Sequence, residues 1–418
     1  MQAMPQPTAT DFSLQWPALG VCRVPYQVFT DTALYNAEQA RIFRGEVWNW
    51  VGLEAETPHP GDFKTQRIGD TPVIMVRDAQ GAMQVFVNRC AHRGALLCVE
   101  QRGHTKQFTC VYHNWSFDLQ GRLRGVAFRH GIRNQGGLPS DFDFAAHGLQ
   151  RLRVEVLHGL VFATFSPHVA PLATWLGPRM TAHFARIFHR PVRILGSYSQ
   201  FMHNNWKLYM ENVKDTYHAS ILHLFLTTFG VNRLSMEGGL DISPDGGHHV
   251  SWSKRASEQL AGTEYTQKTM HAMQDDMQLA DPRIVQMWPE FEDGVTTAIQ
   301  GIFPNLVVQQ IQNSLALRLM IPQGVDACEL HWLLFGYEDD TPEQTDIRLL
   351  QSNLVGPAGL VSMEDGMIGN WIQRTIAQDA DQTAVLEMGG REVTTQGSRV
   401  SEASVRGFWQ AYRTMMDV

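Results

Sequence analysis

Cysteine is scarce in this sequence, with five residues in 418. So few cysteines, and an odd number of them, exclude a secreted scaffold held together by disulfides. Long apolar runs are also missing, since stretches such as GLVFA at 159–163 fall far short of the ~20 residues that span a bilayer. The N-terminal MQAMPQPTATDFSLQW lacks the basic-then-apolar order of a secretory signal. These absences predict a cytoplasmic protein that does not act at a membrane.

Positive charge is in short supply as well. The chain has 34 Lys and Arg against 42 Asp and Glu, a net charge of -8, and no basic run. Proteins that bind nucleic acid carry a basic patch or stripe, so nucleic acid is not an expected partner. What the chain does have is length and apolar content, 418 residues and 44%, enough for two domains of ordinary size.

The pattern of apolar residues changes twice along the chain. A helical period over 31–43, with Asp31 or Thr32 as N-cap, gives way at Val47 to short strands and turns as far as Phe165. The helical pattern returns at 171–188 and 206–222, an extended pattern covers 296–337, and a helical pattern closes the chain at 401–416. A β module followed by helices over an antiparallel sheet indicates α+β architecture.

Two pairs of metal-ligand residues lie within the β module. Cys90 and His92 form Cys-x-His, and after seventeen further residues Cys110 and His113 form Cys-x-x-His. Two thiolates and two imidazoles suit a Rieske [2Fe-2S] cluster, in which the cysteines hold one iron and the histidines hold the other. The alternative is a tetrahedral Cys2His2 zinc site. Zinc ribbons usually pair Cys with Cys and His with His, so the mixed pairs favour the cluster.

The residues around these pairs support the same interpretation. Gly94, after the first pair, allows the backbone to approach a cluster closely. The second pair is surrounded by aromatic residues that we expect to shield a cluster from water, namely Tyr112, Trp115 and Phe117. The three other cysteines are expected to be buried free thiols: Cys22, Cys98 and Cys328.

A second candidate metal site lies in ENVKDTYHASILH, residues 211–223. His218 and His223 match two members of a 2-His-1-carboxylate triad, which binds non-haem Fe(II) and leaves positions open. Five residues apart on an ideal helix, they point ~140° apart, so the helix must end, bulge or bend between them. The carboxylate must come from elsewhere. Asp365 is the candidate, and spacing alone does not separate it from Glu364.

Asp215 stands three residues before His218, so the two are expected to share a helical face. A carboxylate in this position accepts the second N–H of the ligand histidine, fixes its tautomer and joins the two metal centres. The plainer interpretation is a solvated charge on the helix. Histidine pairs like His218 and His223 are common by chance, but a one-electron carrier upstream needs an acceptor, and this favours the metal site.

The chain resembles the large (α) subunits of Rieske non-haem iron aromatic-ring-hydroxylating oxygenases in four motifs: CAHRG, CVYHNWSFD, NWKLYMENVKD-x-YH-x4-H and SMEDG. The resemblance covers nearly the whole chain. It implies an all-β Rieske domain at 45–165 inserted into a helix-grip-like catalytic domain, which has an antiparallel sheet flanked by helices and consists of residues 1–44 and 166–418. Gly369-Asn370-Trp371 depart from some relatives, which have an acidic residue here.

The resemblance also implies a mechanism with two cofactors, the [2Fe-2S] cluster and a mononuclear Fe(II). A separate NAD(P)H-dependent flavin and iron–sulfur reductase supplies electrons to the cluster. They pass across a subunit boundary, through Asp215, to the iron held by His218, His223 and Asp365. Both atoms of dioxygen then enter an aromatic ring as a cis-dihydrodiol. The usual partner is a small (β) subunit in an α3β3 hexamer.

Within this family the chain looks most similar to the branch that oxidises terephthalate, in GGHHVSWS, EFEDGVTTAI, QQIQNSLALR and GSRVSEASVRGFW. Salicylate 5-hydroxylases and anthranilate or 2-halobenzoate dioxygenases are the alternatives. An aromatic carboxylate needs a cation, and arginine binds it through a planar fork. Arg318, on an apolar strand, is the first candidate. The resemblance adds two further residues, Arg399 near a second carboxylate and Ser253 as a polar wall of the pocket. The plainer interpretation is that each arginine forms a salt bridge, or that Arg399 lies exposed in a loop.

Three hypotheses of different classes therefore stand. The first is an aromatic-carboxylate dioxygenase, the second a Rieske electron carrier without oxygenase activity, and the third a zinc-stabilised binding protein. They differ in content, because the first predicts three irons and two labile sulfides per chain, the second two of each, and the third neither.

Overall fold

The computed structural model describes residues 12–133, 135–255, 265, 266, 268, 270–356 and 359–418. The chain forms two units, and the second interrupts the first in sequence. The discontinuous unit consists of Met1–Ile42 and Ala173–Val418, and the inserted unit of Phe43–Leu172. None of the helices in the described part of the chain has both the length and the apolar surface of a bilayer-spanning segment.

The N-terminal part of the discontinuous unit begins with strand β1 (Arg23–Pro25) and the short helix α1 (Gln27–Thr30). Helix α2 (Thr32–Glu38) follows, and a π-helical turn continues it through Gln39–Phe43. Asp31 is the N-cap of α2, because its carboxylate accepts hydrogen bonds from the backbone N–H groups of Ala33 and Leu34. The predicted helix and one of its two candidate caps are therefore confirmed.

The inserted unit is built from strands, in three small antiparallel sheets with the orders β10-β11-β2, β5-β4-β3-β6 and β7-β8-β9. Their bounds are β2 (Asn49–Leu53), β3 (Asp62–Ile68), β4 (Thr71–Arg77), β5 (Met83–Val87), β6 (Arg102–His104), β7 (Gln107–Thr109), β8 (Ser116–Asp118), β9 (Leu123–Gly125), β10 (Arg153–Leu157) and β11 (Leu160–Thr164). The prediction of an all-β module is confirmed.

Two of the hairpins in this unit use the same turn chemistry. Asp78 follows β4 and Asp118 ends β8, and each carboxylate accepts hydrogen bonds from the backbone N–H groups two and four residues later. Each turn then reaches a glycine with positive φ, Gly81 at 84° and Gly121 at 78°. These turns fix the register of the hairpins β4-β5 and β8-β9, of which β5 precedes the first Cys/His pair and β8 follows the second.

The discontinuous unit contains a seven-stranded antiparallel sheet with the order β12-β18-β17-β16-β15-β14-β13, and a separate pair β1-β19. The bounds are β12 (Val192–Met202), β13 (Gly238–Ile242), β14 (His249–Ser253), β15 (Thr297–Ile302), β16 (Leu306–Ile311), β17 (Ser314–Pro322), β18 (Cys328–Tyr337) and β19 (Thr383–Val385). Every residue of β16 and β17 is buried, so the sheet is covered on both faces at these two strands.

The helices that cover the sheet are α3 (Leu172–Ile187), α4 (Trp206–Lys214), α5 (Ala219–Leu222), α6 (Leu224–Thr228), α7 (Pro342–Val355), α8 (Leu360–Ile376) and α9 (Ala403–Met416). Gly177, with φ 77°, kinks α3. At the centre of this layer, Lys207 of α4 forms a fully buried ion pair with Glu38 at 2.6 Å, and Tyr412 of α9 donates to the same carboxylate at 2.8 Å. This network ties α2 and α9 to α4.

Candidate metal centres

The two Cys/His pairs lie in loops with matching backbones. In the first loop the Cys90 N–H donates to the Ala95 carbonyl at 2.8 Å, and in the second the Cys110 N–H donates to the Trp115 carbonyl at 2.9 Å. The fourth residue after each cysteine has positive φ, Gly94 at 74° and Asn114 at 52°. The positive φ is what favours glycine at position 94. Lack of space is not the reason, because a Cβ added there would meet only the Arg89 side chain, at 3.9 Å.

The side chains of the two loops meet at one end of the inserted unit. Cys90 and Cys110 are buried, and the rings of His92 and His113 lie with centroids 4.6 Å apart. Burial raises the pKa of the Cys90 thiol, and contact with the Cys110 thiol raises it further. All five cysteines of the chain are free thiols and buried, as predicted for the three outside these loops.

The aromatic residues near the second pair behave differently from one another. Trp115 is buried and stacks on His92 with a centroid distance of 4.6 Å, and Phe117 is buried in the core beneath. Tyr112, expected to shield the site, is instead 59% exposed. It lies at the tip of the loop, where its ring contacts His113 and the guanidinium of Arg93. The shield therefore consists of two aromatic residues rather than three.

The segment that carries the second candidate site is broken where a continuous helix was predicted. Helix α4 ends at Lys214, and Asp215 has an extended backbone with φ -74° and ψ 114°. The Asp215 carboxylate accepts hydrogen bonds from the backbone N–H groups of Tyr217 and His218, at 3.0 and 3.1 Å. The expectation that Asp215 and His218 share a helical face is therefore wrong, since Asp215 caps the turn on which His218 stands.

A second break falls at His223, between α5 and α6, where the backbone is again extended. This is one of the departures from a regular helix that the five-residue spacing requires. It brings the Nε2 atoms of His218 and His223 each to 3.4 Å from Oδ1 of Asp365, which projects from α8. One ligand atom from each of the three residues lies within 4.8 Å of the others.

This set of three fits a single metal ion. In the part of the chain that the structure describes, it is the one group of His, Cys, Asp or Glu residues with that spacing. The four Cys/His residues of the inserted unit do not form a group with this spacing.

The charges of the three residues support one another. Burial alone would raise the pKa of Asp365, but His223, His218 and Asn212 outweigh it and lower the pKa to about 2. Burial likewise disfavours a charged His218, yet the carboxylates of Asp215 and Asp365 raise its pKa to about 10. A buried carboxylate held ionised between two imidazoles is the donor set that Fe(II) takes in a facial triad.

Each histidine has a different partner at its other ring nitrogen. His218 Nδ1 lies 3.1 Å from the carbonyl oxygen of Asp215 and 3.6 Å from its carboxylate, so the backbone is the nearer acceptor. His223 Nδ1 lies 2.6 Å from the carboxylate of Glu364. Glu364, the rival of Asp365 as the third ligand, is thus engaged on the opposite side of the His223 ring from Asp365.

Asn212 of α4 is a site residue to which sequence reasoning gave no role. Its Nδ2 donates to Oδ1 of Asp365 at 3.0 Å and lies 3.3 Å from Nε2 of His218. Asn212 stands only six residues before His218 in the sequence. Its place in the site could be inferred from this spacing only if the end of α4 before Asp215 were already known.

A cavity opens from these residues onto one face of the seven-stranded sheet. Alternate residues of neighbouring strands line it, and several carry a buried polar atom without a hydrogen-bond partner among the described residues: Ser253, Thr297, Gln309, Arg318, Trp332 and Arg399. Buried polar groups are usually paired, so such a concentration marks a place prepared for a polar ligand. Arg318, Arg399 and Ser253 were predicted here, and the other three were missed.

The two arginines of the cavity are both buried, with exposed fractions of 6% for Arg318 and 5% for Arg399. Within the described residues neither guanidinium has a carboxylate within 4.0 Å, so no salt bridge is seen there, and the alternative of an exposed Arg399 is wrong. Nη1 of Arg318 donates to the hydroxyl of Tyr209 at 2.8 Å, which leaves its Nε without a partner. Arg399 donates to the Asn232 side chain at 2.5 Å and to the Arg233 carbonyl.

Comparison with known families follows the same division of the chain. Residues 47–134 match the Rieske [2Fe-2S] domain, and residues 189–418 match the catalytic domain of ring-hydroxylating α subunits. The chain belongs to this family of aromatic-ring-hydroxylating dioxygenases, as the large subunit of the oxygenase, and its cofactors are a Rieske cluster and a mononuclear iron. The hypotheses of a bare electron carrier and of a zinc-stabilised binding protein are not supported.

Three individual relatives match nearly the whole chain. The chain is 48% identical to the α2 subunit of the terminal oxygenase component of terephthalate 1,2-dioxygenase from Comamonas sp., over 96% of this chain and 97% of that one. It is 47% identical to the anthranilate 1,2-dioxygenase large subunit of Burkholderia cepacia, over 94% and 93%. The large oxygenase component of salicylate 5-hydroxylase from Ralstonia sp. is 40% identical over 96% of both.

The fold is shared with solved structures. Naphthalene 1,2-dioxygenase from Rhodococcus sp. superimposes with a TM-score of 0.77 over 94% of each chain, at 21% sequence identity. The prediction of an all-β Rieske domain inserted into a helix-grip-like catalytic domain is confirmed.

Proposed function

We propose that this large subunit dihydroxylates the ring of terephthalate. The observation that carries the proposal is a pair of buried arginines, Arg318 and Arg399, which line the cavity beside the three metal-ligand residues and have no carboxylate within 4.0 Å in the described part of the chain. A buried cation without a partner is unfavourable unless a ligand anion meets it. Two such cations in one cavity suit an aromatic dicarboxylate, and a relative that matches nearly the whole chain is named for terephthalate.

The placement of the two arginines suits a para arrangement. Arg318 projects from β17, whereas Nε of Arg399 lies so close to Gly238 that a Cβ there would be 2.7 Å from it. Gly238 lies on β13, four strands away from β17 in the order of the sheet. At ~4.8 Å per strand this separates the backbones of β13 and β17 by roughly 19 Å, so the two arginine side chains enter the cavity from different sides. A flat ring with carboxylates at its two ends fits between them.

In this proposal, Cys90, Cys110 and their two histidines hold the cluster, and His218, His223 and Asp365 hold the iron. When bound, the cluster supplies single electrons and the ferrous iron activates dioxygen. The chain's own residues then select and hold the substrate. Arg318, with Nη1 fixed by Tyr209, presents its remaining N–H groups to one carboxylate, and Arg399 with the Ser253 hydroxyl receives the other.

Electron delivery in this proposal depends on other proteins. We infer an NAD(P)H-dependent reductase with flavin and iron–sulfur centres as the electron source, and a small (β) subunit in an α3β3 hexamer as the structural partner. Asp215 is then the residue through which the cluster of one α subunit reaches the iron of another. Its carboxylate is engaged with the backbone of 217 and 218, and its own carbonyl meets Nδ1 of His218.

The test is product analysis with purified protein, a small-subunit partner and a reductase. Terephthalate is expected to give a cis-dihydrodiol that retains both carboxylates, with isophthalate, anthranilate and salicylate turned over at least tenfold more slowly. Isophthalate is the matched control, because it has the same two carboxylates as terephthalate but in a meta arrangement. Only one of them can then contact an arginine. Faster oxidation of anthranilate or salicylate would replace terephthalate with that substrate and leave the family assignment intact.

Asp215→Ala is expected to retain a reducible cluster and a bound iron while its turnover falls at least a hundredfold. The cluster and the triad keep their ligands, but the carboxylate that joins them is gone, and the turn that presents His218 loses its cap. Cluster reduction by dithionite and iron content are measured beside turnover. Asp379→Ala, an exposed aspartate beyond α8, is the control. Normal turnover in Asp215→Ala would remove this residue from the electron path.

A further inference from the structure

The His223 ring is held at both nitrogens by consecutive residues of one helix. Nε2 lies 3.4 Å from Asp365, and Nδ1 lies 2.6 Å from Oε2 of Glu364. The second oxygen of Glu364 is 3.4 Å from the backbone N–H of Leu224, the residue that opens α6. His223 is 2% exposed and the Glu364 side chain 17%, so this contact is largely shielded from water.

The geometry of α8 explains how two neighbours reach the same ring. Consecutive residues of an α-helix point ~100° apart, so Glu364 and Asp365 diverge as they leave the helix. His223 enters between them from the extended backbone that separates α5 and α6. Because Glu364 is committed to Nδ1, its carboxylate lies on the side of the ring away from Nε2. It therefore does not reach an ion that Nε2 and Asp365 share.

We propose that Glu364 is a positioning residue for the iron site, one that holds His223 in the tautomer and orientation needed for metal binding. The carboxylate keeps the proton on Nδ1, which leaves the lone pair of Nε2 directed at the ion. Its Leu224 contact fixes the start of α6 as well. The inference rests on the proposed role of His223 as an iron ligand.

His218 is supported in a different way, mainly by the backbone, and this makes the role of Glu364 specific to His223. The nearest acceptor to His218 Nδ1 is the backbone carbonyl of Asp215, at 3.1 Å, with the carboxylate at 3.6 Å. A backbone carbonyl stays in place when side chains are changed, whereas the acceptor for His223 depends on a single glutamate. Substitution of Glu364 therefore loosens one ligand of the triad and leaves the partners of the other two unchanged.

The experiment measures Fe(II) affinity by equilibrium competition with a chelator, in Glu364→Ala, Glu364→Asp and Glu364→Gln. Alanine is expected to weaken Fe(II) binding by about 10- to 100-fold, the usual effect of removing a carboxylate behind a ligand histidine. Aspartate, one methylene shorter, is expected to fall between alanine and the wild type. Glutamine, whose amide oxygen still accepts from Nδ1–H, is expected to restore most of the affinity. The control is Met363→Ala, at an exposed neighbour on the same helix.

A second readout separates positioning from folding. The metal-free variants are expected to melt near the wild-type temperature, while the rise in Tm on adding Fe(II) is reduced in the alanine and aspartate variants. If the alanine variant does not fold, the Fe(II) affinities of the aspartate and glutamine variants are compared instead, and the inference requires the aspartate variant to bind Fe(II) more weakly. Wild-type affinity in both alanine and aspartate variants, or in aspartate where alanine does not fold, would overturn the inference. A wild-type protein that binds no mononuclear iron would instead overturn the proposed metal site, which keeps the two failures distinct.

Discussion

Asp365→Ala protein is expected to contain no mononuclear iron and to have no detectable oxygenase activity, while its Rieske cluster keeps an unchanged visible spectrum. Oδ1 of Asp365 is the atom that both histidine Nε2 atoms approach, at 3.4 Å each. Within the described residues no other carboxylate completes the group, because Glu364 is engaged with the far nitrogen of His223. Two neutral imidazoles bind Fe(II) far more weakly than a set with a carboxylate.

Metal and sulfide analysis of anaerobically purified protein measures this outcome. The wild type is expected to hold three irons and two labile sulfides per chain, and the variant two of each. The cluster is expected to survive because Cys90 and Cys110 belong to a separate core, that of the inserted unit. Asp379→Ala, an exposed aspartate after the same helix, should behave as the wild type. Joint loss of the cluster and the mononuclear iron would count against two independent sites.

Arg318→Met is expected to raise KM for terephthalate by about 30- to 5000-fold, equivalent to ~2–5 kcal/mol for a buried charge pair that loses one partner. Methionine keeps the apolar stem of the side chain on the fully buried β17 and removes only the guanidinium. Tyr209, which accepts from Nη1, stays in place, so the remaining wall of the cavity is preserved. Initial rates over a range of terephthalate concentrations give KM and kcat separately.

A comparison of variants makes this prediction specific to the cavity. Arg193→Met removes an exposed arginine from β12 of the same sheet and should leave KM unchanged. Arg399→Met is expected to raise KM less than Arg318→Met, because the Arg399 guanidinium is already held by Asn232 and by the Arg233 carbonyl. An unchanged KM in Arg318→Met would rule out this residue as the anchor of the substrate carboxylate.

Much of the fold could be predicted because local signals agree with it. The Asp-x-x-Gly turns that close two hairpins, and the apolar alternation of the strands between them, are read directly from the sequence. The sequence also offers two candidate caps for α2, Asp31 and Thr32, of which the structure selects Asp31. The break after α4 could not be predicted, since ENVKDTYHASIL contains neither glycine nor proline. It occurs because the Asp215 carboxylate competes for the backbone N–H groups of residues 217 and 218.

The candidate site shows the same limit. Spacing selected His218 and His223, but only the structure separates Asp365 from Glu364, because the two are adjacent and differ in which nitrogen of His223 they meet. Thr297, Gln309 and Trp332 were missed for another reason. Their strands pack against the protein on both faces, so no alternation of polar and apolar residues distinguishes the cavity side.

The two histidines of the triad stand beside helices of only four and five residues, α5 and α6. Helices this short have little stability of their own, and what keeps them ordered is their capping and their packing on α8. The broad sheet behind them is held by continuous ladders of hydrogen bonds. On gentle warming we therefore expect the ferrous ion to be lost through local fraying of α5 and α6 at a temperature below that at which the sheet melts, so that these few turns limit the lifetime of the active protein.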